Sequence, residues 1–564
     1  MSGRYAVGID FGTESGRAVL VDCTDGSEVA ASVYPYANGV LDERLPDSDR
    51  ELEPEWALQD PADYVRTLKH AVPEVLGGIR PEEVVGVGID FTSCTMLPTT
   101  ADGTPLCELP DLRLRPHAWV KLWKHHAAQP EADEVNAVAR DRGEPWLSRY
   151  GGKISSEWFF PKALQILHED PEVYARAGRL IEAADWIVWQ LTGVETRNTT
   201  TAGYKAIWSK DEGFPSRDYF AALDPRFANV VDEKMSRRID AIGGRAGGLG
   251  ERAAAWTGML PGTPVAVANV DAHVSAPAVG CVAPGELVVI MGTSNCHVLL
   301  GDRLVSVEGM CGVVEDGVVP GLFGYEAGQS AVGDIFAWFV ENSVPPQVYE
   351  LAQGRGVDVH HLLEEQAAAL AVGESGLLAL DWWNGNRSVL VDADLAGLVV
   401  GLSLSTRPHE VYRALLEATA FGTKVIVDAF ERAGLPVDRI VACGGLPHRN
   451  RLLMQMYADV LGRPISVAGS QNAPALGAAM FGAIAGGVCN SIGEASERMA
   501  APAAETYLPD DRSRHAYGAL YAEYVRLHDL FGRGGDDVMK TLKRVRDETR
   551  HVAATESSRE RLWP

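Results

Sequence analysis

An acid, a glycine and a threonine follow the first apolar run of the chain, in segment 8–13, which reads GIDFGT. A second apolar run comes almost at once, so the pattern predicts a β-hairpin whose turn carries Asp10, Gly12 and Thr13. A carboxylate suits Mg²⁺, directly or through water, while a bare backbone and a hydroxyl suit phosphate oxygens. Arg17 adds a charge-assisted contact. The turn is predicted to hold the magnesium-bound phosphate tail of ATP, and an ordinary hairpin turn is the alternative.

The same order of elements recurs near the middle of the chain. An apolar strand predicted over residues 286–291 leads into Gly292 and Thr293, and a return strand follows. A further glycine pair, Gly444 and Gly445, follows another predicted strand. Two Gly-Thr turns and a glycine pair favour phosphate binding, because glycine lets a ligand approach the backbone closely.

Length and composition predict a globular protein of two large domains. The chain has 564 residues, more than one hydrophobic core usually supports. The internal similarity of its halves indicates two domains built on one plan, and we predict them at residues 1–262 and 263–564. The net charge of −26 argues against nucleic acid or an anionic membrane as a partner.

The cysteines and the apolar runs predict a cytoplasmic protein. None of the 8 cysteines forms a C-x-x-C pair, so buried, reduced thiols are expected. No apolar run reaches membrane-spanning length, and the N-terminus lacks the pattern of a signal peptide.

Asp271 is the candidate general base. It ends a predicted strand at 265–270, close to the predicted junction of the two domains. A carboxylate there can accept the proton of a hydroxyl that attacks a phosphoryl group. An N-cap for the helix beginning near Ala272 is the alternative role, and His273 is predicted to be structural.

The segments between these motifs are predicted to position them. A helix is expected from residue 61, and the apolar run at 84–89 suits a strand buried on both faces of a sheet. The glycine-rich segment 243–250 lacks the G-x-G-x-x-G spacing and is predicted to be a flexible connection. Most of the tryptophans in residues 111–250 are expected in the core, with one or two lining a sugar pocket.

The chemical motifs, taken together in their order, resemble the FGGY family of carbohydrate kinases. The segments that carry this resemblance are 8–13 (GIDFGT), 269–271 (NVD), 291–294 (MGTS) and the glycine pair at 444–445. The resemblance extends from the first strand to about residue 485. It implies an α/β protein whose two domains have the actin/hexokinase-like (ribonuclease H-like) ATPase fold, with a cleft between them.

The resemblance also implies a role for each matching residue. Asp271 is the implied catalytic base and Asp10 the implied magnesium ligand. The other implied positions are Gly12, Thr13, Arg17, Gly292 and Thr293 around the phosphates, Gly444, Gly445 and Asn450 around the adenosine, and Ser93, Lys205, Asp271 and Glu326 on the sugar.

Further segments are similar to those of family members that act on L-ribulose. They are 90–95 (DFTSCT), 155–159 (SSEWF), 324–330 (GYEAGQS) and 381–385 (DWWNG). They imply ATP- and Mg²⁺-dependent phosphorylation of the 5-hydroxyl of L-ribulose, a step of L-arabinose catabolism, by a protein that is expected to form a homodimer. Another ketose or polyol, such as xylulose, is the alternative substrate. A non-catalytic, nucleotide-dependent regulator is the alternative outside enzymes.

Overall fold

Two seven-stranded sheets with helices packed on them form the framework of the protein, whose computed structural model describes residues 4–560. The strands, in chain order, are β1 (Tyr5–Phe11), β2 (Ser15–Asp22), β3 (Glu28–Pro35), β4 (Leu58–Gln59), β5 (Val84–Phe91), β6 (Met96–Thr99), β7 (Val120–Lys121), β8 (Arg179–Glu182), β9 (Arg245–Gly248), β10 (Pro264–Ala266), β11 (Asn269–Val270), β12 (Glu286–Met291), β13 (Asn295–Gly301), β14 (Gly312–Glu315), β15 (Phe323–Gln329), β16 (Leu378–Leu380), β17 (Leu398–Val400), β18 (Arg439–Cys443), β19 (Ile465–Val467) and β20 (Glu505–Tyr507).

The α-helices, in chain order, are α1 (Pro61–Val75), α2 (Gln129–Arg142), α3 (Phe159–Glu169), α4 (Pro171–Arg176), α5 (Ala183–Thr192), α6 (Thr199–Lys205), α7 (Arg217–Leu223), α8 (Val230–Lys234), α9 (Glu251–Thr257), α10 (Asp271–Ala278), α11 (Gly333–Ser343), α12 (Pro346–Arg355), α13 (Val359–Ala368), α14 (Pro408–Arg432), α15 (Gly445–Arg449), α16 (Arg451–Leu461), α17 (Ala473–Ala485), α18 (Ile492–Met499), α19 (Asp511–Gly532) and α20 (Val538–Glu560).

The two large sheets repeat one strand plan. The first has the order β3-β2-β1-β5-β10-β9, with β11 also paired to β5, and the second has the order β14-β15-β13-β12-β18-β19-β20. In the first, β3, β2 and β1 are antiparallel and β5 and β10 continue in parallel with β1. In the second, β15, β13 and β12 are antiparallel and β18 and β19 continue in parallel. The predicted repetition and both predicted hairpins are confirmed.

The first sheet continues past the predicted boundary at 262/263. Strands β10 and β11 both pair with β5, and the chain reaches the second sheet only after α10. The division of the chain at that boundary stays a prediction. The flexible connection predicted at 243–250 is wrong, because β9 lies in this segment and pairs with β10 as an edge strand.

Glycines on the first sheet let α17 lie directly on its strands. A Cβ atom on Gly8 would be 1.8 Å from the carbonyl oxygen of Ala475, and one on Gly88 would be 1.7 Å from that of Ala478. Helix α17 also touches α10, since a Cβ on Gly477 would be 1.9 Å from the carbonyl oxygen of Val274. One hydrophobic core contains residues of both helices and of both large sheets, so the two halves of the chain meet at α10 and α17.

Alternation along the strands brings polar residues to the same face as these glycines. Side chains of a strand alternate between its two faces, so Asp10 and Asp90 lie on the faces of Gly8 and Gly88. The next residue along each strand faces the opposite side of the sheet, where Phe11 and Phe91 stack with ring centroids 5.0 Å apart. The carboxylates therefore stand at the ends of two parallel strands, on the face that α17 covers.

Candidate active site

The first Gly-Thr turn is supported from outside by two side chains. The indole Nε1 of Trp123 donates to the hydroxyl oxygen of Thr13 at 3.0 Å, and Nε2 of Gln59 donates to the Thr13 carbonyl oxygen at 2.7 Å. Across the turn, the amide of Gly12 donates to the carbonyl oxygen of Ser15 at 3.0 Å. Because Thr13 accepts from Trp123, its own hydroxyl hydrogen can be donated to an incoming phosphate.

Two carboxylates stand beside this turn. Asp10 and Asp90 are register partners on the parallel strands β1 and β5, and Arg17 lies 3.8 Å from Asp10. Burial raises the pKa of Asp10, and the charge of Arg17 offsets this in part. Burial also raises the pKa of Asp90 well above its ordinary range, and the charges of Asp10 and Asp271 add to the effect.

These carboxylates fit a magnesium ion. Among the residues that the structure describes, no three His, Cys, Asp or Glu side chains form a ready-made metal site. Mg²⁺, however, usually takes one or two carboxylates and completes its shell with waters and substrate phosphates. Both carboxylate oxygens of Asp90 are buried with no hydrogen-bond partner among the described residues. Asp10, Asp90 and an oxygen-rich ligand would together give the donor set that this ion prefers.

Asp271 is the first residue of α10, directly after β11. The N-cap is Val270, so the alternative role of Asp271 as N-cap is not the one observed. The amide of Ala272 donates to its Oδ1 at 2.7 Å. Burial raises the pKa of Asp271 to about 7, and the charges of Asp10 and Glu326 act in the same direction. A carboxyl that titrates near neutrality is suited to accept a proton during catalysis.

The second Gly-Thr turn is held by the start of α11. The amide of Val332 donates to the carbonyl oxygen of Thr293 at 2.7 Å, and that of Gly333 donates to the carbonyl oxygen of Gly292 at 3.1 Å. These contacts use carbonyl groups of the turn and leave the hydroxyl of Thr293 available to a ligand. Within the turn the amide of Gly292 donates to the carbonyl oxygen of Ser294 at 2.9 Å, so the Thr293 hydroxyl is a donor left for a ligand.

The glycine pair lies directly against the strand that leads into this second turn. Gly444 has φ of 96°, which favours glycine, and a Cβ there would be 2.4 Å from the carbonyl oxygen of Met291. At Gly445, by contrast, a Cβ would meet no protein atom within 4 Å. Asn450 caps α16, because its Oδ1 accepts from the amide of Leu453 at 2.7 Å. Its predicted contact with the nucleotide stays a prediction.

Glu326, on β15, is the centre of a buried cluster of charges. Its Oε1 accepts from Nζ of Lys205 at 2.8 Å and from Nη2 of Arg387 at 2.7 Å, and its Oε2 accepts from Nε2 of His273 at 3.1 Å. Burial alone would raise the pKa of Glu326, but these three partners lower it well below its usual range. Burial would likewise lower the pKa of Lys205, but the charge of Glu326 raises it overall. Both groups are therefore charged at neutral pH.

Lys205 reaches this cluster from the end of a short, firmly anchored helix. Helix α6 is capped by Asn198, whose side chain and amide both donate to the buried carboxylate of Asp185, at 2.9 and 3.0 Å. The ammonium group of Lys205 lies 5.6 Å from the ring of Trp158. The predicted pair of Lys205 and Glu326 is thus brought together across 121 residues of chain.

Ser93 lies in the loop after β5, partly exposed. The buried ammonium group of Lys162 holds this loop, since it donates to the carbonyl oxygens of Cys94 at 2.8 Å and Leu122 at 2.7 Å. Cys94 has φ of 64°, an uncommon value for a residue other than glycine. Lys162 lies in the first turn of α3, and the N-cap residue of that helix, Trp158, has its ring centroid 5.6 Å from Nζ of Lys205, so the start of α3 contacts both the Ser93 loop and the Glu326 cluster.

Several residues of this region were missed by the sequence analysis or given other roles. Arg387, Trp123 and Lys162 had no assigned function, and His273 was expected to be structural. Each contacts a partner more than 50 residues away in the chain, except that Lys162 reaches Leu122 across 40. No local pattern carries such a signal, although the sequence 381–385 drew attention to the neighbourhood of Arg387.

Comparison with known proteins shows the family. The model of the FGGY family of carbohydrate kinases, N-terminal domain, matches residues 5–278, and that of the C-terminal domain matches residues 287–486. A ribulokinase of Anoxybacillus flavithermus is 57% identical over 558 residues, which cover 98% of this chain and 99% of the relative. A ribulokinase of Mycolicibacterium smegmatis is 53% identical over 546 residues, 96% of each chain.

The chain belongs to the FGGY family of carbohydrate kinases. This FGGY kinase is therefore an enzyme that phosphorylates a carbohydrate, and the family implies that ATP is the phosphoryl donor. The fold agrees with solved structures. The xylulose kinase from Rhodospirillum rubrum matches with a TM-score of 0.74 at 22% identity, covering 93% of this chain and 98% of that one. Plasmodium falciparum glycerol kinase with ADP matches with a TM-score of 0.70 at 16% identity, covering 93% and 98%.

The predicted two-domain actin/hexokinase-like fold is thereby confirmed. In the part of this FGGY kinase that the structure describes, no helix has the length and apolar character needed to cross a lipid bilayer.

Proposed function

We propose that the enzyme transfers the γ-phosphoryl group of ATP to the 5-hydroxyl of L-ribulose, giving L-ribulose 5-phosphate and ADP. The support for the sugar is that relatives matched over nearly their whole length carry the name ribulokinase. The observation that carries the chemistry is the position of Asp271, which directly follows β11, a strand paired with β5 at Asp90 and Phe91 beside the first phosphate turn.

Asp271 is the general base in this proposal. As the 5-oxygen attacks the γ-phosphorus, the hydroxyl proton passes to the Asp271 carboxylate and the bond from phosphorus to the bridging oxygen of ADP breaks. The base need not be strong, because phosphoryl transfer depends mainly on alignment and on neutralising charge. A pKa of about 7 leaves Asp271 largely ready to accept a proton at slightly alkaline pH.

The phosphates lie between the two Gly-Thr turns in this proposal. Thr13 on one side and Thr293 on the other offer backbone amides and hydroxyls, Gly12 and Gly292 let the phosphates approach the backbone closely, and Arg17 adds positive charge. Asp10 holds Mg²⁺, with Asp90 beside it. When bound, the ion neutralises charge on the phosphate oxygens.

The adenosine lies along the glycine pair in this proposal. Gly444 brings the backbone against the strand of the second turn, and Gly445 leaves open space where a side chain would stand. Asn450, at the start of the next long helix, borders the same ligand.

The sugar subsite consists of Ser93, Lys205, Glu326 and Asp271. A 2-pentulose closes its five-membered ring through the oxygen on C5, so only the acyclic keto form offers a free 5-hydroxyl for phosphorylation. An acyclic ketose presents one carbonyl and several hydroxyls. Lys205 supplies donors and Glu326 an acceptor for such a chain, and burial makes these charge-assisted contacts strong.

We also place the enzyme in the cytoplasm. All eight cysteines are free thiols, and seven of them are buried, as suits a reducing compartment. A homodimer stays a prediction.

An assay of ADP release across L-ribulose, the other pentuloses and the pentitols tests the substrate. L-Ribulose is expected to give the highest kcat/KM, because specificity is a ratio of these values. A higher value with xylulose or a pentitol would replace the proposed substrate by another ketose or polyol. ADP release that no sugar stimulates would contradict the catalytic proposal and favour a nucleotide-dependent regulator.

A further inference from the structure

Arg387 reaches the sugar subsite from a loop between β16 and β17. Its guanidinium lies across β15 at Gly328, where a Cβ atom would stand 3.1 Å from Cδ and 3.2 Å from Cζ of the arginine. From there Nη2 donates to Oε1 of Glu326 at 2.7 Å. The side chain is 28% exposed, whereas Glu326 is 4% exposed. Arg387 thus bridges the buried carboxylate and the more open part of the cleft.

The bond from Arg387 determines which acceptor of Glu326 is left for a ligand. Oε1 already accepts from Lys205 and Arg387, and Oε2 accepts from His273 alone. A carboxylate oxygen accepts about two hydrogen bonds, so Oε2 keeps one free acceptor site. The carboxylate can then take one sugar hydroxyl in one orientation.

With Lys205 as its only cationic partner, the Glu326 carboxylate would have a less well defined orientation. A buried carboxylate is costly unless it is paired and its hydrogen bonds are satisfied. An ammonium group is a rotatable point charge, whereas a guanidinium is planar, always charged and fixed in direction. Because residue 328 carries no side chain, the Arg387 side chain can lie against β15 beside Glu326.

We propose that Arg387 is a positioning residue of the sugar subsite, which orients Glu326 as the acceptor of a ketose hydroxyl and thereby sets the affinity for the sugar. This inference rests on the proposed function, because it assigns the ketose to the Glu326 cluster. Arg387 acts through Glu326, so its loss weakens sugar binding and leaves nucleotide binding intact.

The test compares Arg387→Met and Arg387→Lys in the full-length enzyme, with L-ribulose and ATP as varied substrates. We expect Arg387→Met to raise the KM for L-ribulose by about 10- to 100-fold, the loss typical of a buried hydrogen bond to a charged group. The KM for ATP should change less than about twofold, since uniform binding of one substrate is lost. Arg387→Lys should recover part of the affinity, because it keeps the charge.

Arg439→Met is the matched control. Arg439 also donates to a glutamate, Glu286, at 2.8 Å, but it lies at the start of β18, the end of that strand opposite to Gly444. Both KM values should be those of the unmodified enzyme. Thermal denaturation of each variant shows whether it is folded. If Arg387→Met lacks a cooperative unfolding transition, Arg387→Lys is used instead. A weaker affinity of Arg387→Lys for L-ribulose, measured as KM and by calorimetry, would then support the positioning role, and an unchanged affinity would contradict it.

A double-mutant cycle with Glu326→Gln separates positioning from other roles. If Arg387 acts through Glu326, then Arg387→Met should change the KM for the sugar much less in the Glu326→Gln background than alone. An unchanged sugar KM in Arg387→Met, or an equal effect in both backgrounds, would overturn the inference. When another sugar gives the highest kcat/KM, that sugar is used in the cycle, so the substrate proposal can fail without deciding the role of Arg387.

Discussion

The two Gly-Thr turns occupy equivalent places in two sheets of one plan, yet their surroundings differ in charge. Two residues before Gly12 stands Asp10, whose register partner is Asp90. Two residues before Gly292 stands Ile290, whose register partner is Cys443. The first turn is therefore placed among carboxylates and the second among apolar side chains and glycines. In the proposed function the two turns therefore have different tasks: the carboxylates beside the first hold a metal ion, and the space beside the second admits the nucleotide.

Asp271 belongs to neither turn, and its removal should have the largest effect. We expect Asp271→Asn to lower kcat by about 10²- to 10⁴-fold, because the attacking hydroxyl loses its proton acceptor. The KM for ATP should change little. A kcat near that of the unmodified enzyme, in a folded variant, would remove Asp271 from the mechanism, and with it the reason for placing the reaction between the turns.

The difference between the turns predicts different consequences for Asp10→Asn and Thr293→Val. Asp10→Asn should lower kcat by roughly 10²-fold and raise the Mg²⁺ concentration needed for half-maximal rate, because a metal carboxylate is lost. Thr293→Val should raise the KM for ATP by roughly tenfold, the cost of one hydrogen bond to a charged phosphate, with an unchanged Mg²⁺ requirement. Rates measured across Mg²⁺ concentrations distinguish them. Equal shifts in Mg²⁺ requirement would mean that the turns do not divide the work.

The raised pKa of Asp271 also predicts a pH dependence of the reaction. The pKa of Asp271 is raised to about 7, so below that pH the group is protonated and cannot accept a proton. The value of kcat/KM for the sugar should therefore fall about tenfold for each pH unit below 7 and level off above it. The residual activity of Asp271→Asn should lack this limb. A profile of kcat/KM that stays flat down to pH 5.5 would contradict the raised pKa.

Gly445→Ala should give the smallest effect and test the glycine pair beside the second turn. Since no protein atom lies within 4 Å of the added Cβ, the variant should fold normally and raise the KM for ATP by a few-fold only if the nucleotide occupies that space. Gly444→Ala is the contrast, because its Cβ would meet Met291 and its φ is positive. That variant should lose thermal stability. An unchanged KM for ATP in Gly445→Ala would mean that the nucleotide does not occupy the space beside Gly445.

Local sequence patterns were sufficient to predict those site residues that lie at strand ends and in turns. Asp10 and Asp271 each follow an apolar run, and a Gly-Thr pair between two apolar runs is a turn, so the strands and turns were predicted, although the strand predicted at 265–270 is two short strands, β10 and β11. The segment 243–250 was misjudged because its edge strand is recognisable only by its pairing with β10. The role of Arg387 lies in a contact with Glu326 across 61 residues, and that of Trp123 in a contact with Thr13 across 110. Such pairs depend on tertiary packing, which no local periodicity records.

The close seating of α17 on the first sheet has a consequence for how the protein is made. Gly88 emerges from the ribosome long before Ala478, whose carbonyl oxygen it will face. At roughly 5–20 residues per second, the nascent sheet waits on the order of tens of seconds for the helix that covers it. During that interval an apolar sheet face is exposed to chaperones and to other nascent chains. A chain that stops before α17 should therefore accumulate as an aggregate rather than as a folded half, and the yield of active enzyme should depend on how fast the second half is translated.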